Sequence, residues 1–144
     1  VVNLLPFKSK KINVKSRYFN YLYLKSGENI YIQKREAKDV WHNLYEFPLL
    51  EASKIFSKEE LAANKSFKDL ITDFEMIKIG LVTKILKHQL SHQTIYACLF
   101  EIKLPENEIM IDNFIRIKKN ELSNYPVSRL IELLMNEMEK QKNT

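Results

Sequence analysis

The sequence of 144 residues contains one cysteine and two glycines, and these shortages exclude several kinds of site. Cys98 alone cannot form an internal disulfide or a cysteine-rich zinc site. Gly27 and Gly80 are too few for a glycine-rich loop that binds phosphate. Cys98 lies in the apolar run TIYACLFEI, which indicates a small core residue in a protein from a reducing compartment.

Long apolar runs are also missing, which argues against a membrane-spanning helix. No run approaches the roughly 18 apolar residues that such a helix needs. Hydrophobic residues make up 45% of the chain and charged residues 28%. This balance is typical of a single globular domain large enough to bury its own core.

The net charge of +5 is unevenly distributed along the chain. The first 41 residues hold nine basic and three acidic residues, so the excess lies in the N-terminal third. A polyanionic partner such as nucleic acid would explain this excess. A basic, solvated face explains it equally well on charge alone.

Periodicity predicts an α+β domain in which a largely antiparallel or mixed sheet is packed by helices. Residues 12–37 predict a β-hairpin with its turn at Gly27, and the first strand carries bulk on both faces. A short strand is predicted from Leu44 to Phe47, ended by Pro48. Further strands are predicted in TKILKHQL, TIYACLFEIKL and IMIDNFIRIKK.

Two helical segments complete the predicted order β-β-β-α-β-β-β-α. In the first, Ser57 and Glu60 have the spacing of a capping box, although the apolar period that follows is ragged. The second closes the chain, and we expect Pro126 in its first turn. Its apolar stripe consists of Val127, Leu130, Ile131, Leu134 and Met138.

The stretch KHQLSHQTIY, residues 87–96, concentrates the polar chemistry of the chain. His88 and His92 flank Ser91 at the tip of the predicted hairpin. A zinc site would need two more ligands, and His42 is the only other histidine. A serine–histidine triad would need a strand–turn–helix elbow with glycines, which is missing here. A solvated turn and a ligand-binding loop stay open on the residues alone.

Several motifs together resemble the C-terminal domain of the MutY family of adenine DNA glycosylases. In order, they are LPFKSKK, RYFNYLYL, YIQKREAKDVWHNLYEFPLLEA, KHQLSHQTIYACLFEI and YPVSRLI. The resemblance covers nearly the whole chain and implies a Nudix-like fold. It also implies that residues 1–10 are the remnant of an interdomain linker and that residues 11–144 form one domain.

The resemblance implies that this domain recognises 8-oxoguanine opposite adenine in double-stranded DNA. Leu90, Ser91 and His92 correspond to the family's Phe-Ser-His loop and are expected to bind the oxidised base. Four basic residues are expected to contact phosphates: Arg35, Lys84, Lys87 and His88. We expect no metal, cofactor or catalytic residue in this chain.

Other parts of the expected enzyme would lie upstream. The resemblance places adenine excision and a four-cysteine iron–sulfur cluster in an N-terminal catalytic domain, which would be the domain's partner. The implied location is the bacterial cytoplasm, in association with the nucleoid.

Three positions depart from the family pattern or from its enzymatic relatives. Asn43 replaces a glycine before the aromatic-Glu-Phe-Pro run, and Leu90 replaces the phenylalanine of the loop. After Pro48 the sequence continues LLEA, without the glycines and the acidic helix of an active Nudix hydrolase.

A stand-alone nucleotide pyrophosphohydrolase and a protein-interaction domain are the alternative functions.

Overall fold

The structure is a computed structural model that describes residues 14–72, 74, 76–106 and 111–143, so the predicted linker 1–10 lies outside it. Within these residues a mixed sheet of eight strands is packed by three α-helices. The strands are β1 Lys15–Ser26, β2 Asn29–Lys34, β3 Tyr45–Glu46, β4 Leu49–Ala52, β5 Lys78–Val82, β6 Leu86–Gln89, β7 Gln93–Lys103 and β8 Ile115–Lys118. The helices are α1 Lys58–Ala63, α2 Lys65–Leu70 and α3 Arg129–Lys142, with a 3₁₀ helix at Lys119–Asn124. The predicted α+β class is confirmed.

Strand β1 lies at the centre of the sheet. It runs parallel to β7 over eleven residue pairs, from Lys15–Gln93 to Lys25–Lys103. Its other edge pairs antiparallel with β4 along the N-terminal half and with β2 at the C-terminal end. A strand with neighbours on both edges and apolar bulk on both faces must be covered on both sides, as its sequence predicts.

Two apolar cores lie on opposite faces of the sheet because side chains alternate along each strand. Helix α3 covers one face, which we call the α3 face. Its core includes Phe19, Tyr21, Tyr23, Ile95, Ala97, Leu99, Leu130, Ile131, Leu134 and Met138. Helices α1 and α2 cover the other face, the α1–α2 face. Its core includes Leu22, Leu24, Leu61, Phe67, Cys98, Phe100 and Ile102.

Cys98 is therefore a core residue, as its sequence context indicates. The side chain is fully buried, and burial raises the pKa of its thiol to about 12. The stripe predicted for the closing helix is buried at four of its five positions, and Val127 is half-buried just before the helix.

Three of the described residues, Gly27, Asn43 and Asn113, have a positive φ, and the first two lie in the turns that precede β2 and β3. Gly27 has φ 61° in the β1–β2 turn, which confirms the predicted hairpin. Asn43 has φ 74° and donates its backbone N–H to the Arg35 carbonyl at 2.9 Å. Asparagine tolerates this conformation better than most residues, so it fits this turn.

The structure corrects two expectations about element boundaries and adds two strands. The first helical segment is two helices, because Asn64 ends α1 and its side chain caps α2 by accepting from the Phe67 N–H at 3.0 Å. Pro126 is outside the closing helix, whose N-cap is Ser128. The Pro126 carbonyl instead accepts a hydrogen bond from the Tyr45 N–H at 2.8 Å. Strands β4 and β5 were not anticipated.

No helix in the described part of the chain is both long and apolar enough to cross a membrane.

Candidate nucleic-acid interface

The β6–β7 hairpin presents residues 90–92 at its tip, and we call these residues the tip loop. Strands β6 and β7 pair antiparallel from Leu86–Ala97 to Gln89–Thr94, as the sequence predicts. The turn closes with a hydrogen bond from the Leu90 N–H to the Gln93 carbonyl at 2.8 Å. The loop is therefore held directly by the strand that forms the sheet's parallel centre.

Gln89 braces the tip loop with its side-chain amide. The Nε2 group donates to the Leu90 carbonyl at 3.0 Å and lies 3.5 Å from the Gln93 carbonyl. The Oε1 atom accepts from the Thr94 hydroxyl at 2.9 Å. One side chain thus connects both sides of the turn, and the loop has a defined shape before any ligand binds.

Ser91 and His92 project from this braced turn. Both residues are exposed, and neither side chain has a hydrogen-bond partner among the described residues. The backbone behind them is fixed, because the His92 carbonyl accepts from the Lys15 N–H at 3.2 Å. A hydroxyl and an imidazole are therefore free to bind a ligand from a rigid support.

Leu90 and His88 face the protein rather than the solvent. Leu90 is half-buried and packs against the α3-face core, together with Leu86 of β6. His88 lies between them by alternation, and its ring is 5.8 Å from the Trp41 ring. The structure thus separates the core-facing Leu90 and His88 from the exposed Ser91 and His92.

The other predicted basic residues do not form one patch. Lys87 points to the α1–α2 face of the hairpin, opposite to His88. Lys84 is in the β5–β6 connection, where its Nζ lies 3.8 Å from Glu137 of α3. Both lysines are exposed. Of these two lysines, Lys87 lies closer to the tip loop along the hairpin.

Arg35 lies in the interior and is fully occupied by carboxylates. Its side chain is only 5% exposed, and it forms ion pairs with Asp39 and, at 3.1 Å, with Glu46. Tyr21 and Gln33 donate further hydrogen bonds to Glu46, at 3.1 and 3.0 Å. A guanidinium buried in this way is a poor phosphate ligand, so we omit Arg35 from the proposed interface.

A second arginine connects this buried network to the hairpin. Arg17 forms a bidentate ion pair with Glu51, at 2.8 and 2.7 Å, and its Nη1 is 3.5 Å from Asp39. The same Nη1 donates to the Gln93 side chain at 3.3 Å, just after the tip loop. The base of the loop is therefore anchored to a charge network that includes residues from four strands.

The two arginines shift the pKa values of the carboxylates around them. Hydrogen bonds from Arg35 hold the pKa of Asp39 below its ordinary value, and those from Arg17 do the same for Glu51. Glu46 differs, because burial raises its pKa although Arg35 opposes the shift. The network is built for ion pairing inside the protein.

A cavity of about 490 Å³ opens beside this network. Its lining includes Arg35, Glu46 and Glu51, whose charges are already balanced by their partners. On α1, Glu60 is used for capping, since its carboxylate accepts from the Ser57 N–H at 2.8 Å and also pairs with Lys54. No group of three or more potential metal ligands occurs among the described residues.

Sequence reasoning missed Gln89, Thr94, Gln93 and Arg17 as supports of the tip loop. Their roles depend on strand register, which places Gln89 opposite Thr94 and Gln93 opposite Lys15. The short polar run QLSHQT was the only local signal that this turn carries its own bracing side chains.

Comparisons with known proteins agree with the fold. Residues 20–137 match the NUDIX domain family model. The C-terminal domain of mouse MUTYH, in a complex with human PCNA, has 12% identity and a TM-score of 0.65, over 89% of this chain and 90% of that chain. None of the curated protein sequences matches this chain.

Two other similar structures are a MutT protein and a Nudix hydrolase. The MutT protein of Methanosarcina mazei Go1 has 8% identity and a TM-score of 0.61, over 93% of this chain and 100% of that chain. A Nudix hydrolase of Nitrosomonas europaea has 9% identity and a TM-score of 0.59, over 89% and 91%. At these identities the likeness shows the fold alone.

Proposed function

The chain belongs to the Nudix domain family, and from that premise we propose that it is the domain of an adenine DNA glycosylase that recognises 8-oxoguanine opposite adenine. The excision step would belong to a catalytic domain upstream, which would also hold the iron–sulfur cluster. The observation that carries the proposal is the braced tip loop, in which Ser91 and His92 are exposed and unpartnered. The ordered motifs that resemble the MutY family, and the similarity of the fold to the MUTYH C-terminal domain, support it.

The chemistry of the oxidised base suits these two side chains. Guanine presents the acceptors N7 and O6 in the major groove. Oxidation at C8 places a proton on N7, so that this position becomes a donor. A serine hydroxyl can accept from that N–H, and the imidazole of His92 can bind a base edge or a phosphate. Ser91 is therefore the residue that we expect to distinguish the two bases.

Leu90 is expected to play a smaller part than the phenylalanine it replaces. A leucine side chain lacks an aromatic face for stacking, and here it is half-buried against the core. It can still press on a neighbouring base step as an apolar wedge. Its packing also fixes the direction in which Ser91 and His92 project.

The test uses this chain joined to the catalytic domain that the proposal places upstream of it. Duplexes that contain 8-oxoguanine or guanine opposite adenine are titrated, and the ratio of the two dissociation constants is measured. Substitution of both Ser91→Ala and His92→Ala should remove about 1–3 kcal/mol of discrimination, which is roughly a 5- to 150-fold loss of preference.

The matched control is Ser123→Ala with His42→Ala, at exposed positions outside the hairpin. These changes should leave the preference unaltered. If the tip-loop double variant keeps the full preference for 8-oxoguanine, the proposal is wrong.

Two measurements on the same protein distinguish the proposed function from the two alternatives, a nucleotide hydrolase and a protein-interaction domain. Magnesium-dependent release of phosphate or pyrophosphate from 8-oxo-dGTP would favour a nucleotide hydrolase. DNA binding that does not respond to salt would argue against phosphate contacts and favour a protein-interaction role. We expect no hydrolysis, together with binding that weakens steeply as salt rises.

A further inference from the structure

An open row of side chains lies on the α1–α2 face of the sheet, near the hairpin. Tyr18 of β1 and Tyr96 of β7 are direct partners in the parallel register, and their rings stack with centroids 5.4 Å apart and planes 13° apart. Both tyrosines are half-buried, and neither belongs to the apolar core on this face. The pair therefore lies where the cover provided by α1 and α2 ends.

The neighbours of this pair extend the row across the sheet. Lys87 of β6 is the direct partner of Tyr96, and Ser16 of β1 is two residues before Tyr18, on the same face. We call these four residues, Ser16, Tyr18, Lys87 and Tyr96, the tyrosine row. The row offers three hydroxyls and one ammonium group, and none of its positions carries a carboxylate.

The hydroxyls of the row are available to a ligand. Within the described residues, neither tyrosine hydroxyl has a hydrogen-bond partner, and Ser16 is exposed. Lysine, serine and tyrosine are residue types that commonly bind DNA phosphates. The chemistry of the row is therefore complementary to a chain of phosphodiesters.

The spacing along the hairpin fits the depth of a DNA groove. Lys87 is two residues before the end of β6, about 7 Å along the strand, and the tip loop lies beyond that end. The major groove is about 8.5 Å deep. When Ser91 reaches a base edge at the floor of the groove, the row then lies near the level of the phosphates that border it.

We infer that the tyrosine row binds the phosphodiester backbone of duplex DNA and sets how far the tip loop enters the major groove. The inference rests on the proposed function for its partner, and it assigns contacts that are separate from base recognition. The row holds the backbone, whereas Ser91 and His92 contact the base.

The test combines two variants of the 144-residue chain in low salt. Tyr18→Phe with Tyr96→Phe removes the two hydroxyls but keeps the stacked rings, so the fold is preserved. Lys87→Gln removes the charge. Binding to a duplex is followed by NMR titration of the labelled protein, which detects weak binding, and by fluorescence anisotropy at several salt concentrations.

The double tyrosine variant should weaken binding about 5- to 150-fold for duplexes with 8-oxoguanine and with guanine alike, because two hydrogen bonds are lost. Lys87→Gln should lower the slope of log affinity against log salt by about one, which corresponds to one phosphate. In the wild-type titration, DNA should shift the resonances of the row.

The matched controls are on the opposite side of the sheet. Tyr45 and Tyr125 form an edge-to-face pair with ring centroids 4.9 Å apart, and Lys34 is exposed at the end of β2. Tyr45→Phe with Tyr125→Phe, and Lys34→Gln, should leave DNA affinity unchanged. Equal losses in the controls and in the row variants would overturn the inference.

Three further results would also overturn the inference. The first is that no resonance of the row shifts with DNA, and the second is that the affinity loss is confined to one of the two duplexes. The third is that the resonances of the row shift with protein concentration alone, which would indicate binding of a second copy of the chain. The proposed function fails on a different measurement, the preference ratio of the Ser91→Ala and His92→Ala variant. The two outcomes are therefore distinguishable.

Discussion

At the scale of single residues, Asn43 shows how a residue other than glycine can occupy a left-handed turn position. Its φ of 74° lies in the left-handed region, where a Cβ atom normally meets the following carbonyl. The backbone bond from its N–H to the Arg35 carbonyl keeps the chain in this conformation just before β3. The side chain of Asn43 is exposed, so its role is conformational.

Substitutions at Asn43 should follow this backbone requirement. Asn43→Ala should lower the free energy of unfolding by about 1 kcal/mol, because alanine does not favour positive φ. Asn43→Gly should change it by less than about 0.5 kcal/mol, since glycine fits the conformation but is more flexible when unfolded. Urea unfolding monitored by Trp41 fluorescence gives both values. A larger loss for glycine than for alanine would contradict this account.

At the scale of elements, the β6–β7 hairpin depends on side chains for the shape of its tip. Gln89 is the central brace, because its amide donates to the Leu90 carbonyl and accepts from the Thr94 hydroxyl. A glutamate at this position would keep the size and the acceptor but lose the amide donor. Comparison of Gln89→Ala with Gln89→Glu therefore isolates the hydrogen bonds that the amide donates.

Both Gln89→Ala and Gln89→Glu should loosen the tip loop. Amide hydrogen exchange at the Leu90 N–H, measured by NMR, should become about 5- to 10-fold faster as roughly 1 kcal/mol of local hydrogen bonding is lost. Thr94→Ser, which keeps the hydroxyl, is the control and should exchange at the wild-type rate. Unchanged exchange in Gln89→Glu would show that the amide donor does not brace the turn.

The sequence predicts many of the helices and strands correctly, and its errors have physical causes. The β1–β2 hairpin and the stripe of α3 are correctly predicted because their periodicity spans many residues. Strand β4 has four residues that gain order by pairing with β1, and β5 is broken by a register shift between Ile79 and Val82. Pro126 is kept out of α3 by its bond to Tyr45, a contact that no local pattern reveals.

At the scale of the whole molecule, a charge network connects distant parts of the sheet. Arg17 and Arg35 join carboxylates from β3, β4 and the segment before Trp41, and Arg17 continues to the Gln93 side chain. The sequence shows these residues only as separate charges. The network forms because the parallel pairing of β1 with β7 brings Arg17 near Gln93.

The network predicts a specific loss of stability in acid. The folded pKa of Asp39 is lowered by Arg35, so its contribution is present above the unfolded pKa of about 3.9 and is lost as pH falls through the folded value. Asp39→Asn should cost about 1.5–3 kcal/mol at pH 6 and much less at pH 2.5. Urea unfolding across this range checks the expectation.

Asp69→Asn is the control for that pH series. Asp69 is 64% exposed and, within the described residues, pairs with Lys65 alone, so its removal should alter stability little at any pH. Parallel pH curves for the wild type and Asp39→Asn would contradict the role of the network.

The parallel pairing of β1 with β7 also determines the order in which the chain can acquire its structure. Lys15 pairs with Gln93, which follows it by 78 positions, so the central strand meets its main partner only after more than half of the chain has been made. At about 5–20 residues per second, a ribosome needs roughly 4–16 s to cover that interval. During this time β1 can pair with β2 and β4, but the edge that it later joins to β7 is open. Contacts of such long sequence separation slow folding, so we expect the β1–β7 pairing to form late.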